Sequence, residues 1–214
     1  MVVRILSEQP LGVQTVRGTV LFADLRGYTA LAERLAPEAV VSLLDEFFDI
    51  LAQAVGEHGG SVYHMAGDSV MAGFGLSEPG AVPVRAAVAA GRTMVASFTP
   101  VAAEWAQQVG VVTGVGIGVH AGDLALAPLG PPSMRRPTLI GDTVNVAARL
   151  CQRARAGEVL FSASVAEALE RAAFDEVMKL PHLKLRGRAA PIQIFCVPAR
   201  ERLASAAAAS APTA

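Results

Sequence analysis

The sequence predicts an α+β fold of the ferredoxin-like kind, with a βαββαβ core and additional C-terminal strands. Two observations support this prediction. First, β-rich apolar segments and long segments of helical periodicity follow one another in the order strand, helix, strand, strand, helix, strand. Second, the 214 residues are 52% hydrophobic and 17% charged, a composition typical of a globular domain with a sizeable core.

The core begins with a strand and a long helix. The segment GTVLFADL, residues 18–25, is β-rich and mostly apolar, as expected of a central strand. A helix is predicted after Pro37, a favourable first helical residue, and it should end at the glycines of EHGG, residues 57–60. Between these limits apolar residues recur at helical spacing: Val40, Val41, Leu44, Phe47, Phe48, Leu51 and Val55.

A hairpin is expected next. In SVYHMAGDSVMAGF, residues 61–74, Gly67 and Asp68 can fill a two-residue reversal between two β-rich arms. This arrangement would place the Asp68 carboxylate at the tip of the turn.

A second helix and a glycine-rich strand complete the core. Residues 84–109 have helical periodicity, which Pro100 is expected to interrupt or kink. Residues 111–122, VVTGVGIGVHAG, are predicted to form a strand, and its alternate glycines favour the close approach of another backbone or helix. Residues 123–130, DLALAPLG, are predicted to be its hairpin partner.

The C-terminal third adds a helix and further strands. The segment TLIGDTVNVAARLCQRA, residues 138–154, predicts a helix capped by Asp142 or Thr143. Its inward positions are expected to be Val144, Ala147, Ala148 and Cys151. The segments EVLFS, DEVMKLPHLKLRGR and APIQIFCVP add terminal strands, with a short helix between the first two. We interpret residues 1–16 as a lead-in, 17–199 as the folded domain and 200–214 as a low-complexity, alanine-rich tail.

Composition argues against several classes of function. A net charge of −1 provides no electrostatic attraction to nucleic acid or to an anionic membrane. No apolar run approaches the roughly 18 residues of a membrane helix, and the N-terminal residues do not resemble a signal peptide. The cysteines, Cys151 and Cys196, have no CxxC spacing. We therefore expect a cytoplasmic protein with no nucleic-acid partner and no membrane segment in this chain.

Two aspartates are candidate metal ligands. Asp24 ends the first apolar strand, and Asp68 occupies the expected hairpin tip. Mg²⁺ prefers a few carboxylates and completes its octahedron with water and substrate phosphates. If they were adjacent, the two could hold the metal pair of an in-line phosphoryl or nucleotidyl transfer. The alternative is that each serves only its own turn, and a separation of 44 residues does not choose between these interpretations.

Two polar residues share one face of the predicted third helix. Asn145 and Arg149 are four positions apart, so both project from the same side. They either form part of an ordinary solvated face, or orient a hydroxyl and neutralise charge that develops on phosphate. Other nucleotide motifs are missing, because the sequence contains neither G-x-G-x-x-G nor G-x-x-x-x-G-K-[ST]. The four histidines show no close ligand spacing.

Taken together, these segments resemble the catalytic domain of class III nucleotidyl cyclases, the adenylate/guanylate cyclase family, in its bacterial form. The resemblance extends from about Arg17 to about Pro198. GTVLFADLRGYTALAE resembles the first metal segment and HMAGDSVMAGFG the second. TLIGDTVNVAARL resembles the transition-state helix, and HLKLRGRAAPIQIF the closing segment that contains a phosphate-contacting cation. The resemblance implies that residues 17–199 are a cyclase catalytic domain.

The family resemblance implies a two-metal site. Asp24 and Asp68 would bind two divalent cations, Mg²⁺ or Mn²⁺, and the carbonyl of Leu25 would join one of them. The turn amides around Gly27, Tyr28 and Thr29 would cradle the triphosphate. The resemblance further implies a head-to-tail homodimer, because in this family each site takes its aspartates from one chain and its other residues from the partner.

The partner's contribution is also implied residue by residue. Asn145 would position the ribose, Arg149 would stabilise the pentavalent phosphorus, and Arg186 would hold the terminal phosphates, with Arg188 as an alternative for the last role. His64 occupies the position of the family's adenine-reading lysine, and Thr138 the second base-reading position.

The implied reaction is the conversion of ATP to 3′,5′-cyclic AMP and pyrophosphate, for intracellular signalling. Thr138 is similar to the residue in a bacterial subgroup that makes cyclic AMP, and His64 does not match the glutamate typical of guanine readers. Two alternatives stay open. One is a guanylate cyclase, and the other is a weak or inactive cyclase-homology module that binds nucleotide or a partner cyclase.

Overall fold

The computed structural model describes residues 12–76, 83–169, 177–184 and 190–199. In these ranges the strands are β1 Gln14–Arg26, β2 Ser61–Ala66, β3 Ser69–Phe74, β4 Gly114–Leu129, β5 Arg136–Ile140, β6 Val159–Ser162, β7 Met178–Leu183 and β8 Ile192–Val197. The helices are α1 Tyr28–Arg34, α2 Pro37–Glu57, α3 Val84–Val109, α4 Asp142–Arg153 and α5 Ala163–Ala168.

One sheet contains all eight described strands. Its order is β2-β3-β1-β4-β6-β8-β7, and β5 pairs separately with the second half of β4. The four strands β2, β3, β1 and β4 are antiparallel neighbours, which is the arrangement of the predicted βαββαβ core. Strand β6 is parallel to β4, and β8 and β7 extend the sheet antiparallel to it. The predicted fold class, with its additional C-terminal strands, is confirmed.

The two faces of the sheet are covered by different helices because successive strand residues point to opposite sides. Leu21, Ala23 and Leu25 of β1 belong to the main core, which they form with α2 and α3. Val20 of β1 lies in a second cluster, which includes Ala147 of α4. Helix α4 therefore packs on the face opposite to α2 and α3.

The two predicted long helices are confirmed. Helix α2 begins at Pro37, and α3 spans 84–109. The expected interruption at Pro100 is wrong, because α3 continues through this residue. Phe98 makes edge-on ring contacts at 5.1 Å with both Phe47 and Trp105, which joins α2 to α3. No helix in the described ranges is long and apolar enough to cross a membrane.

The predicted hairpin between residues 111 and 130 is wrong. Residues 114–129 form the single strand β4, whose hairpin partner is β5. The physical reason is the length of β1, because its 13 residues pair with β4 from Gly114 to Leu126 and hold it extended throughout.

The predicted cap of α4 is also wrong. Gly141 is the N-cap residue, and the Thr143 hydroxyl donates instead to the Asp123 carbonyl at 2.6 Å. The buried face also differs from the prediction, since Val144 and Ala148 are only half-buried. The fully buried residues of α4 are Thr143, Val146, Ala147, Leu150 and Cys151.

The alternate glycines of β4 bring α4 close to the sheet, as predicted. A Cβ atom at Gly118 would lie 2.1 Å from the Cys151 backbone nitrogen and 2.4 Å from the Ala147 carbonyl oxygen. Real Cβ atoms do not approach backbone so closely, so only glycine allows α4 to lie directly on β4 here.

The domain boundaries stay a prediction. Strand β1 begins at Gln14, three residues inside the predicted lead-in. Residues 1–11 and 200–214 lie outside the described part of the chain.

Candidate active site

The two candidate aspartates lie at the same edge of the sheet. Gly67, with φ of 60°, and Asp68 form the two-residue turn between β2 and β3, as predicted. Asp24 pairs with Ser69 at the start of β3, and the Leu25 amide donates to the Asp68 carbonyl oxygen at 3.1 Å. The sheet register therefore brings together the two carboxylates that lie 44 residues apart in sequence.

The electrostatics of this pair suit a divalent cation. Burial, and then the negative charge of Asp68, raise the pKa of Asp24, whereas the Arg26 guanidinium acts to lower it. The two carboxylates are thus close enough to repel each other, and a bound cation would relieve that repulsion. Within the described residues no three His, Cys, Asp or Glu side chains cluster. A set of two carboxylates fits Mg²⁺ or Mn²⁺, whose other ligands are water and phosphate.

Arg26 is a site residue that the sequence reasoning missed. Its guanidinium donates to the Asp24 carboxylate, to the Ala154 carbonyl oxygen at 2.9 Å and to the Cys151 carbonyl oxygen. Gly116 leaves room for it, because a Cβ there would lie 2.6 Å from the Arg26 Nε atom. Arg26 therefore links the candidate metal carboxylate to the C-terminal end of α4.

A sequence signal for Arg26 does exist. Asp24 and Arg26 are two positions apart on a strand, so their side chains point to the same face. Leu25 points the other way and is 2% exposed in the main core.

Burial raises the pKa of the Cys151 thiol, which lies near Arg26, to about 12. This thiol therefore stays protonated and donates a hydrogen bond to the Gly116 carbonyl oxygen at 3.2 Å.

The turn after β1 offers backbone amides at this edge. Gly27 has φ of 89° and is the N-cap residue of α1. Tyr28 packs partly against the main core, and Thr29 is exposed. A side chain at Gly27 would meet the Val112 carbonyl oxygen at 2.6 Å, which keeps the turn tight. The first amides of a helix have no intrahelical acceptor, so those of this turn can face a ligand.

Helix α4 presents its two candidate residues differently. Asn145 is exposed, whereas Arg149 is half-buried and engaged in interactions of its own. The contacts that join Asp24 to α4 run through Arg26 to the end of the helix, at Cys151 and Ala154.

The two candidate base-reading residues lie on strands that contact each other without pairing. His64 is exposed on β2, next to an irregularity in its pairing with β3, and Thr138 is half-buried on β5. Strands β2 and β5 contact each other. Arg186 and Arg188 lie outside the described residues.

A family model matches most of the chain. Residues 13–197 match the adenylate and guanylate cyclase catalytic domain. The chain belongs to this family. The resemblance to class III cyclases that the sequence motifs indicated is thereby confirmed.

Relatives and solved structures agree with this assignment. An uncharacterised protein of Mycobacterium tuberculosis is 32% identical over 186 residues, which cover 86% of this cyclase domain chain and 33% of that protein. The chain thus spans about a third of the length of that relative. The crystal structure of the adenylyl cyclase CyaB from P. aeruginosa superposes with a TM-score of 0.81 at 28% identity, covering 87% of this chain and 96% of CyaB. The guanylyl cyclase Cya2 superposes with a TM-score of 0.78 at 26% identity, covering 88% and 95%.

Membership of the cyclase family has general consequences. Cyclase catalytic domains act on nucleotide substrates and typically dimerise, and class III cyclases generally use divalent metals. The relatives include both adenylyl and guanylyl cyclases. A proposal of ATP or GTP as the substrate therefore rests on the residues of this chain.

Proposed function

We propose that this cyclase domain converts ATP to 3′,5′-cyclic AMP and pyrophosphate in the cytoplasm, as a source of an intracellular signal. The proposal rests on one observation above all. Asp24 and Asp68 lie at the same sheet edge, close enough for the charge of one to raise the pKa of the other, beside the turn at Gly27. Such an edge combines a cation site with backbone amides that can bind phosphate.

The chain's own groups have distinct tasks in this reaction. The Asp24 and Asp68 carboxylates and the Leu25 carbonyl would hold two divalent ions, which lower the pKa of the ribose 3′-hydroxyl and neutralise phosphate charge when bound. The amides of the turn at 27–29 would hold the triphosphate. The 3′-oxygen forms a bond to the α-phosphorus while the bond from the α-phosphorus to the oxygen of the leaving pyrophosphate breaks, and the hydroxyl proton is released.

The partner chain would complete each site. We assign Asn145 to the ribose, Arg149 to the charge that develops on the phosphorus, and Arg186 to the terminal phosphates, with Arg188 as its alternative. The exposure of Asn145 supports this assignment, because an exposed side chain on α4 is accessible to a second chain. A head-to-tail homodimer with two equivalent composite sites follows.

The choice of ATP over GTP rests on Thr138 and His64. A threonine hydroxyl can accept a hydrogen bond from the adenine amino group, and a histidine N–H can donate to a ring nitrogen. The contact between β2 and β5 supports a common role for these two residues, because it brings the two strands close together although they do not pair.

The deciding experiment is incubation of the purified 214-residue chain with Mg²⁺ or Mn²⁺ and either ATP or GTP, followed by identification of the product by mass spectrometry. Cyclic AMP as the main product supports the proposal. Cyclic GMP as the main product would show a guanylate cyclase. Binding of nucleotide without any cyclic product would show an inactive homology module.

Complementation tests the composite site. We expect Asp24→Ala and Asn145→Ala chains each to be inactive alone and active when mixed, because one site of the heterodimer then has every group intact. Random pairing makes half of the dimers heterodimers with one of two sites working, so activity on the order of a quarter of wild type is expected. The measurement is cyclic AMP formation by the mixture. Heterodimers that form but stay inactive would contradict a shared site.

Replacement of His64 tests base reading. We expect His64→Lys to raise kcat/KM for ATP about fivefold, since lysine always offers a donor and one added hydrogen bond contributes about 1 kcal/mol. The matched control is Met65→Lys, which adds the same charge on the opposite face of β2, at an exposed position. Equal effects of the two substitutions on ATP turnover would show that His64 does not contact the base.

A further inference from the structure

Arg26 joins acceptors that belong to two different parts of the fold. Its Nη1 atom donates to the Asp24 carboxylate on the same strand, whereas Nε and Nη2 donate to the Ala154 and Cys151 carbonyl oxygens at the end of α4. The side chain is only 25% exposed. Gly116 of β4 leaves room for it, since a Cβ there would lie 2.6 Å from both Nε and Nη2. One guanidinium is therefore shared between a candidate metal ligand and a helix end.

The end of α4 is a place where a positive charge is stabilising. The last carbonyl groups of a helix lack intrahelical donors and form the negative end of the helix dipole. Helix α4 ends at Arg153, so the two carbonyl oxygens that accept from Arg26 belong to its final turn and C-cap. Because these donors come from β1, Arg26 fixes the end of α4 relative to the strand that holds Asp24.

The Asp24 carboxylate would be shared between Arg26 and a bound divalent cation. A cation held by Asp24 and Asp68 would place two further positive charges beside the guanidinium. Like charges repel, so the attraction between Arg26 and Asp24 would weaken when the cation binds. The two carbonyl groups of α4 would then carry a larger share of the interactions of Arg26.

We propose that Arg26 is a positioning residue that couples cation binding at Asp24 to the position of the end of α4. Such coupling is reciprocal, so the position of α4 also changes the affinity for the cation. Its consequence for catalysis rests on the proposed function, in which Asp24 serves one composite site and Asn145 and Arg149 of the same chain serve the other. Arg149 lies two residues before Cys151, so Arg26 links the two sites of the homodimer through a single chain.

The first test is the Mn²⁺ affinity of the nucleotide-free 214-residue chain, measured from the electron paramagnetic resonance signal of free Mn²⁺. Arg26→Met keeps an apolar stem and removes both the charge and the donors. We expect it to bind Mn²⁺ about threefold to tenfold more tightly than wild type, because a positive charge beside the cation has been removed. Loss of a residue that only supported the fold would leave the affinity unchanged or weaken it.

The second test is hydrogen exchange of the backbone amides of residues 150–154, measured by mass spectrometry with and without Mn²⁺. In the wild-type chain Mn²⁺ should slow this exchange about threefold or more, because the interactions of Arg26 shift towards the end of α4. In the Arg26→Met chain the effect of Mn²⁺ on these amides should disappear.

A conservative variant covers the case in which Arg26→Met fails to fold. Arg26→Lys keeps the positive charge, so its Mn²⁺ affinity should stay within about twofold of wild type. A lysine ammonium lacks the planar fork that reaches three acceptors at once, so this variant should also lose the effect of Mn²⁺ on α4.

The matched control is Arg34→Met. Arg34 is exposed and donates to the Gly110 carbonyl oxygen at 3.1 Å, just after the end of α3. Its replacement therefore also removes an arginine from a helix end, but at a different helix. Mn²⁺ affinity and the effect of Mn²⁺ on α4 should both stay as in wild type.

The catalytic readout is the rate of cyclic nucleotide formation against Mn²⁺ concentration. Arg26→Met should lower kcat about tenfold, because α4 is no longer held in place, while it lowers the Mn²⁺ concentration that gives half of the maximal rate. A fall in kcat combined with tighter cation binding distinguishes a positioning role from general loss of structure.

Two outcomes would overturn the proposal. One is a Mn²⁺ affinity in Arg26→Met that does not exceed that of Arg34→Met, and the other is exchange at 150–154 that Mn²⁺ leaves unchanged in wild type or slows equally in the Arg26 variants. Formation of cyclic AMP together with either outcome would leave the proposed function standing without the coupling. The expected binding and exchange results with no cyclic product from ATP or GTP would support the coupling and contradict the proposed function.

Discussion

Replacement of Asp24 by asparagine is expected to lower cyclic nucleotide formation at least about 100-fold while leaving the fold intact, because a neutral amide is a poor ligand for a divalent cation. Asparagine is preferred to alanine here, since its side-chain oxygen can still accept the hydrogen bond from Arg26. The measurements are product formation at saturating Mg²⁺ or Mn²⁺ and Tm. Asp68→Asn is expected to behave in the same way.

The control for this experiment is Asp49→Asn. Asp49 is an exposed carboxylate on α2, so its replacement removes the same charge at a distance from the site. Retained activity in either the Asp24 or the Asp68 variant, with the control unaffected, would contradict the metal assignment.

The largest effect on stability is expected from Gly118→Ala. The new Cβ would lie 2.1 and 2.4 Å from backbone atoms of α4, and backbone cannot rotate away as a side chain can. Overpacking of this kind typically costs about 1–3 kcal/mol, and we expect the upper end of that range or more here because α4 must move off the sheet. The measurement is the free energy of unfolding from urea titration.

A glycine in open surroundings provides the matched control. Gly56 lies in α2, and nothing lies within 4 Å of a Cβ built there. Gly56→Ala should therefore stabilise the chain by up to about 1 kcal/mol, because alanine has the higher helix propensity. Equal stability of the Gly118→Ala chain and wild type would mean that α4 does not lie on β4 as closely as described.

The sequence pattern correctly predicted those helices and turns whose formation depends on residues close together in the chain. Helix α2 has a favourable first residue in Pro37 and one apolar stripe, and the β2–β3 hairpin has a glycine at the turn position that requires positive φ. The single strand β4 was missed because its second half is held by β1, far away in sequence. The cap of α4 was missed because Thr143 bonds to Asp123 and not to its own helix.

The residues of the candidate site also fall into two groups, those that the sequence identified and those that only the tertiary structure identified. The sequence motifs by themselves determined the family and named Asp24 and Asp68 as candidates, since each ends a strand or forms a turn whose local pattern is legible. Only the tertiary structure decided that the two carboxylates share one edge, because that depends on the register between β1 and β3. Only the tertiary structure revealed Arg26 as the link to α4, since its acceptors at Cys151 and Ala154 are more than 120 residues away in sequence.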